Sequence, residues 1–148
     1  MDEMTKAYIA GLFDGEGSAL IEKIKEHSYQ IVVAIANTDK GLSEFVMKHF
    51  NGHYRRDRVR ASLKCKDGRP IKIDCSVYFT YEEAKRLLLA ILPYLTAKQD
   101  EALIVLQALY KIPDRKPGKS RRPRGVSRLI ERFYYALQDV RKSANHGL

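Results

Sequence analysis

Eleven residues near the amino terminus, Ala7 to Gly17, read Ala-Tyr-Ile-Ala-Gly-Leu-Phe-Asp-Gly-Glu-Gly. Tyr8, Ile9, Leu12 and Phe13 fall at helical spacing, which predicts a short helix over 5–14 with Thr5 as its N-cap and Gly15 and Gly17 at its end. Ala7, Gly11 and Gly15 are four apart and form a face with almost no side chain. Glycine inside a helix costs about 1 kcal/mol against alanine, so Gly11 needs a compensating contact, and close approach of a second backbone is a good one. Two carboxylates, Asp14 and Glu16, stand at the end of this helix. There they oppose its dipole and repel each other, and a divalent cation would relieve both.

The elements that must position these groups follow in order. Residues 18–26 and 29–36 read as a hairpin, with Tyr29, Ile31, Val33 and Ile35 on one face and Gln30, Val32, Ala34 and Ala36 on the other. The first strand is ambiguous: Glu22 and Ile24 reach the polar face only if strict alternation holds. Asn37-Thr38-Asp39 offers cap chemistry for a helix over 40–50, with Leu42, Phe45, Val46 and Phe50 as its apolar stripe and Asn51-Gly52 as its stop. Strands near 53–65 and 71–79 make a second hairpin. Tyr54, Arg56, Arg58, Arg60 and Lys64 share one face of the third strand; Lys72, Asp74 and Ser76 share one face of the fourth. Thr80-Tyr81-Glu82-Glu83 has the form of a capping box before a helix that Pro93 ends. A helix over 97–111, with Leu103, Leu106 and Tyr110 in register, precedes a Pro/Gly-rich basic loop and a last amphipathic helix over 126–142. The pattern is α+β, with one sheet face apolar and the other polar and basic.

Composition narrows the partner. The 148 residues carry 27 Lys and Arg against 18 Asp and Glu, a formal charge of +9, with 45% apolar residues. That length suits one domain over 1–148. No apolar run is long enough to span a bilayer, and the polar amino terminus lacks the plan of a secretory signal. Cys65 and Cys75 lack metal-ligand spacing and read as buried thiols in an intracellular compartment. Positive charge gathers in Arg55–Arg60 and in residues 111–125, which hold seven Lys/Arg and three prolines. Two such clusters favour nucleic acid, with the sheet face on bases and phosphates and Lys119 and Arg121 tracking backbone.

The segment Ile9-Ala10-Gly11-Leu12-Phe13-Asp14-Gly15-Glu16-Gly17 resembles the LAGLIDADG motif of homing endonucleases. Further landmarks occur in the family's order over residues 5–110. Gly17-Ser18 enters a hairpin, Ile35-Ala36-Asn37-Thr38-Asp39 leads into a helix, and Asn51-Gly52-His53-Tyr54 precedes a basic strand. Leu92-Pro93-Tyr94-Leu95-Thr96-Ala97-Lys98-Gln99 is similar to the segment that supplies the family's active-site lysine.

The resemblance implies an αββαββα-type domain whose four-stranded antiparallel sheet lies on DNA with helices on its other face. Family enzymes pair two motif helices, and one copy here implies a homodimer through Ala7, Gly11, Leu12 and Gly15. Two-fold symmetry in turn implies a palindromic or near-palindromic double-stranded target. It further implies Glu16 as a ligand of Mg²⁺ (Mn²⁺ or Ca²⁺ as substitutes) with the Gly15 carbonyl assisting, and Lys98 near the attacking water. No organic cofactor is implied. Asn37 stands where the family often has a water-ordering glutamine, with Thr38 and Asp39 as neighbouring alternatives. Asp14 is expected to be structural. Two departures stand out: glutamate where the family most often has aspartate, and asparagine for glutamine. The implied activity is a sequence-specific, metal-dependent double-strand DNA endonuclease of intron-encoded or freestanding type. The alternatives are an intron-RNA maturase or an inactive DNA-binding regulator on the same fold.

Overall fold

The computed structural model describes residues 1–26, 28–56, 75–112 and 124–146, with the side chains at 54–56, 124, 145 and 146 outside the described set. Helix α1 (Glu3–Glu16) starts earlier and ends later than its apolar pattern predicts. Asp2, not Thr5, caps it: the Asp2 carboxylate accepts from the Thr5 backbone N–H at 2.8 Å and from the Thr5 hydroxyl at 3.0 Å. These bonds hold the Asp2 carboxyl below its ordinary pKa. An acid adds favourable interaction with the positive end of the dipole, which a neutral hydroxyl lacks.

Strand β1 (Gly17–Lys25) leaves the helix directly and pairs antiparallel with β2 (Ser28–Ile35). Ala19 and Ile21 are buried with Tyr29, Ile31, Val33 and Ile35. Alternation of burial in β1 holds through Ile21 and the register stays regular through Lys23, shifting only between Lys23 and Lys25, so Glu22 lies directly opposite Gln30 and both are exposed. Helix α2 (Lys40–His49) is capped by Asp39, whose carboxylate accepts from the Gly41 N–H at 2.7 Å. The buried Ser43 hydroxyl donates to the Cys75 carbonyl at 2.7 Å, pinning α2 to the sheet.

Strands β3 (His53–Arg56) and β4 (Cys75–Tyr78) complete the expected four-stranded antiparallel sheet, and its order is β1-β2-β4-β3. Cys75 is a buried free thiol; Cys65 lies outside the described residues. The ladder corrects the predicted faces. Ile35 pairs with Val77, Val77 with Tyr54, and Cys75 with Arg56. Directly opposed residues share a face, so positions 54 and 56 fall in the row that holds core residues Ile35 and Val77, and position 55 falls in the row of Ser76 across from it. Gly52 has the same parity as 54, and a Cβ there would strike the Val77 side chain. Ser76 is itself buried, at 3% exposure, and so is not the open surface residue expected.

Helices α4 (Gln99–Lys111) and α5 (Arg124–His146) join α1 on the apolar face, α3 (Tyr81–Ile91) packs behind them on α4 and α1, and Pro93 sits in a 3₁₀ turn at Leu92–Tyr94. The predicted capping box does not form. Thr80 makes no side-chain cap bond, and Glu83 instead accepts from the Asn51 N–H at 3.2 Å and from Arg86 at 3.0 Å. In α4 the buried side is Ala102, Val105, Leu106, Ala108 and Leu109, whereas Leu103 and Tyr110 are 40% and 60% exposed. The buried stripe is rotated because α4 packs against α3, α5 and β1 together.

Helix α5 runs to His146, beyond the predicted 142. Arg141 ties it to Glu101 at 3.1 Å and to the Ala19 carbonyl at 3.5 Å. Near its other end the Tyr29 hydroxyl donates to Glu131 at 2.8 Å. Loss of hydration, reinforced by the Glu131 carboxylate, pushes the Tyr29 phenol from 10.0 up to about 12. A value raised on folding contributes stability that is whole below pH 10 and is lost as the pH rises towards 12. Tyr29→Phe should lower stability at neutral pH by about 1.5–3 kcal/mol, the scale of a hydrogen bond to a charged group. It should also remove this part of the alkaline loss, as read from urea unfolding across that range.

Candidate active site

The carboxyl end of α1 meets the amino end of α4, and each supplies what the other's dipole requires. The Asp14 carboxylate accepts three backbone N–H groups, from Thr96 at 2.7 Å, Ala97 at 3.2 Å and Lys98 at 2.9 Å. The Lys98 ammonium reaches back and donates to the Phe13 carbonyl at 3.2 Å and the Gly17 carbonyl at 2.6 Å. An anion thus stands at the positive end of α4 and a cation at the negative end of α1, interactions worth about 0.3–1 kcal/mol each and up to about 2 kcal/mol when partly buried. The Phe13 carbonyl, which also accepts the Gly17 N–H, and the Gly17 carbonyl at the start of β1 thus share one ammonium at the end of α1.

Asp14 is therefore structural, as expected, but the reasoning that both acids call for a cation is corrected. Three N–H groups satisfy Asp14, and Glu16 alone remains. Glu16 is exposed, and among the described residues its carboxylate has no hydrogen-bond or ion-pair partner. Its backbone is fixed, since its carbonyl accepts from the Ala36 N–H at 3.1 Å. Asn37 follows immediately in the chain. Its side-chain oxygen accepts from the Asp39 N–H at 2.7 Å and its carbonyl from the Cys75 N–H at 2.7 Å. Asn37 therefore lies beside the Glu16 turn with its carboxamide oxygen bound into the start of α2.

Among the described residues no three His, Cys, Asp or Glu side chains gather as a metal cluster. One chain offers the Glu16 carboxylate and the Gly15 carbonyl, which lies in the last helical turn, where no intrahelical donor reaches. Hard oxygen donors suit Mg²⁺ or Ca²⁺, and so few fill only part of a shell, so the set fits a site completed from outside this chain.

The small-residue face of α1 is open. Ala7, Gly11 and Gly15 are exposed, and a Cβ on either glycine would meet nothing within 4 Å. Leu12 is only half-exposed and packs partly on the core. Met4 and Tyr8 border this face at 82% and 52% exposure, although Tyr8 carries the apolar spacing of a core residue. Their position one helical turn from Ala7 and Gly11 was the available sign. The Tyr8 ring meets Phe45 of α2 edge-on, centroids 5.3 Å apart, which helps to fix α1.

Of the sheet-face candidates, Glu22 and Gln30 are exposed cross-strand partners. Tyr54 and Arg56 occupy the ladder positions given above. Arg58, Arg60, Lys64, Lys72, Asp74, Lys119 and Arg121 lie outside the described residues.

With this geometry established, the fold is that of the homing endonucleases. The chain superposes on the homing endonuclease I-CvuI in complex with the I-CreI target at a TM-score of 0.55, over 88% of this chain and 95% of that one, with 20% identity. Against I-CvuI with its own target, in the presence of Ca, the values are 0.55, 91%, 95% and 20%. An archaeal intron-encoded homing endonuclease, I-Vdi141I complexed with DNA, gives a TM-score of 0.52 over 90% of this chain and 98% of that one, with 14% identity. No protein-family model and no curated protein matches the sequence.

Gly17 contrasts with the open glycines, because a Cβ there would strike the Phe13 ring and carbonyl. Gly17→Ala should destabilise the chain by about 1–3 kcal/mol, the cost of overpacking. Gly11→Ala should stabilise the isolated subunit by up to about 1 kcal/mol through helix propensity. Chemical denaturation of both variants, at concentrations low enough to keep subunits apart, reads the two signs directly.

Proposed function

We propose that this chain is a sequence-specific homing endonuclease that cuts both strands of a long, palindromic or near-palindromic DNA site as a homodimer using a divalent metal. The observation that carries this reading is the open Ala7/Gly11/Gly15 face, which ends at the exposed Glu16 carboxylate with Lys98 bonded to the same helix end. Among the described residues nothing requires glycine at 11 or 15, whereas a second α1 packed against this face would. Such packing would bring two Glu16 residues and two Gly15 carbonyls together at the symmetry axis, each subunit presenting the same sheet to one half-site.

Glu16 and the Gly15 carbonyl would hold the metal. Bound there, a divalent cation would polarise the scissile phosphate and favour a hydroxide nucleophile. The remaining roles belong to the protein. Lys98 supplies positive charge at the helix end where negative charge develops on the phosphate. Glu22 and Gln30 present an acceptor and an amide from the exposed sheet face towards base edges. A DNA target places the protein inside the cell.

Light scattering should return a two-fold dimer, and Gly11→Val should leave monomer at the same concentration. Full assembly of that variant would show that the glycine face is not the interface. The direct test incubates a library of randomised palindromes with wild-type protein or Glu16→Gln, in Mg²⁺ or EDTA. Specific double-strand cuts by the wild type in Mg²⁺ alone are expected. Selective retention of DNA or of a structured RNA without any cut would overturn the nuclease assignment.

A further inference from the structure

The acid that the proposed chemistry leaves unused, Asp14, is the best-anchored group in the site. Its two oxygens accept the N–H groups of three successive residues, the last of them Lys98 itself. The Lys98 backbone is in turn an irregular one, with φ −113° and ψ 19° at the start of α4, and its own side chain provides no cap. Removing Asp14 would remove the three hydrogen bonds that hold the segment Thr96–Lys98 against the end of α1. The half-buried ammonium of Lys98 would then have no fixed origin from which to reach the Phe13 and Gly17 carbonyls. These two carbonyls bracket Glu16 along the chain, so the ammonium is held at the turn that displays the free carboxylate.

We propose that Asp14 is the positioning residue of this site: through the Thr96–Lys98 backbone it sets the Lys98 ammonium at the carboxyl end of α1, and turnover depends on it while DNA binding does not. The inference rests on the nuclease reading above for its turnover claim, and on the hydrogen bonds alone for its positioning claim. An Asp14→Asn chain keeps one acceptor oxygen for part of the N–H set but loses the second and the charge. Lys98 then becomes free to leave the helix end, whereas the sheet that meets DNA is untouched.

Two measurements separate the claims. In a double-mutant cycle with Lys98→Met, Asp14→Asn alone should lower kcat on the order of 10- to 100-fold with KM within about 2-fold, and should add less than about 3-fold in the Lys98→Met background. Losses that multiply in full would mean that Asp14 does not act through Lys98. The second measurement needs no cleavage. Trace acetylation with an N-hydroxysuccinimide ester, read peptide by peptide, should show Lys98 several-fold more reactive in Asp14→Asn, with Lys6 and Lys85 unchanged. Unchanged Lys98 labelling overturns the positioning claim, and a general rise across lysines assigns Asp14 a merely structural role. A wild type that cleaves no duplex overturns the turnover claim together with the nuclease reading, while the labelling still decides whether Asp14 holds the ammonium in place.

Discussion

Two helix ends of opposite polarity meet at one point in this fold, and each lends the other a charge. Asp14 leaves the carboxyl end of α1 to cap the amino end of α4, and Lys98 leaves the start of α4 to cap the carboxyl end of α1. Either charge on its own helix end would be unfavourable; exchanged, both are favourable. The crossing joins segments more than eighty residues apart, so α1 is anchored at the end that carries Glu16 while its small-residue face stays clear of the core.

The sheet and the helices serve that anchoring. β1 starts at the residue after α1, and the Ala36 N–H on the Glu16 carbonyl ties the helix end to β2. The carbonyl of Asn37 then receives the Cys75 N–H, and Ser43 secures the Cys75 carbonyl to α2. A chain of backbone bonds therefore runs from the Glu16 turn through β2 to β4. On the far side, α5 is held over β2 by Tyr29–Glu131 and over β1 by Arg141 on the Ala19 carbonyl, and Arg141–Glu101 ties it to α4. The turn that displays the Glu16 carboxylate is consequently built on rigid elements, as the proposed role of meeting a reacting phosphate at fixed geometry would require.

The two faces of the sheet divide the work. The helix-side face is filled by β-branched and aromatic residues whose burial drives the fold. The opposite face keeps Glu22 and Gln30 exposed and directly paired, a donor-and-acceptor couple in the row that a duplex would meet. In the proposed dimer the two sheets would share one continuous duplex, so symmetry would double a small set of contacts into a long site.

Much of this was legible without coordinates wherever a local rule decides the outcome. The period of β2 named its buried residues, Asp39 was among three cap candidates, and the spacing of Ala7, Gly11 and Gly15 announced a face without side chains. Glu16 at a helix end between glycines marked the candidate ligand. What the sequence could not settle were competitions that a partner distant in the chain decides. Thr80 and Glu83 have the form of a capping box, yet Glu83 went to Asn51 and Arg86. Asp14 was expected to be structural from the resemblance, but the groups it binds, the Thr96–Lys98 backbone N–H groups, lie more than eighty residues away and no local pattern announced them. The ladder positions of 54 and 56 followed from register with β4, which no local pattern fixes. Residue type and spacing determined which groups were available; the meeting of two helix ends decided which of them remained open for chemistry.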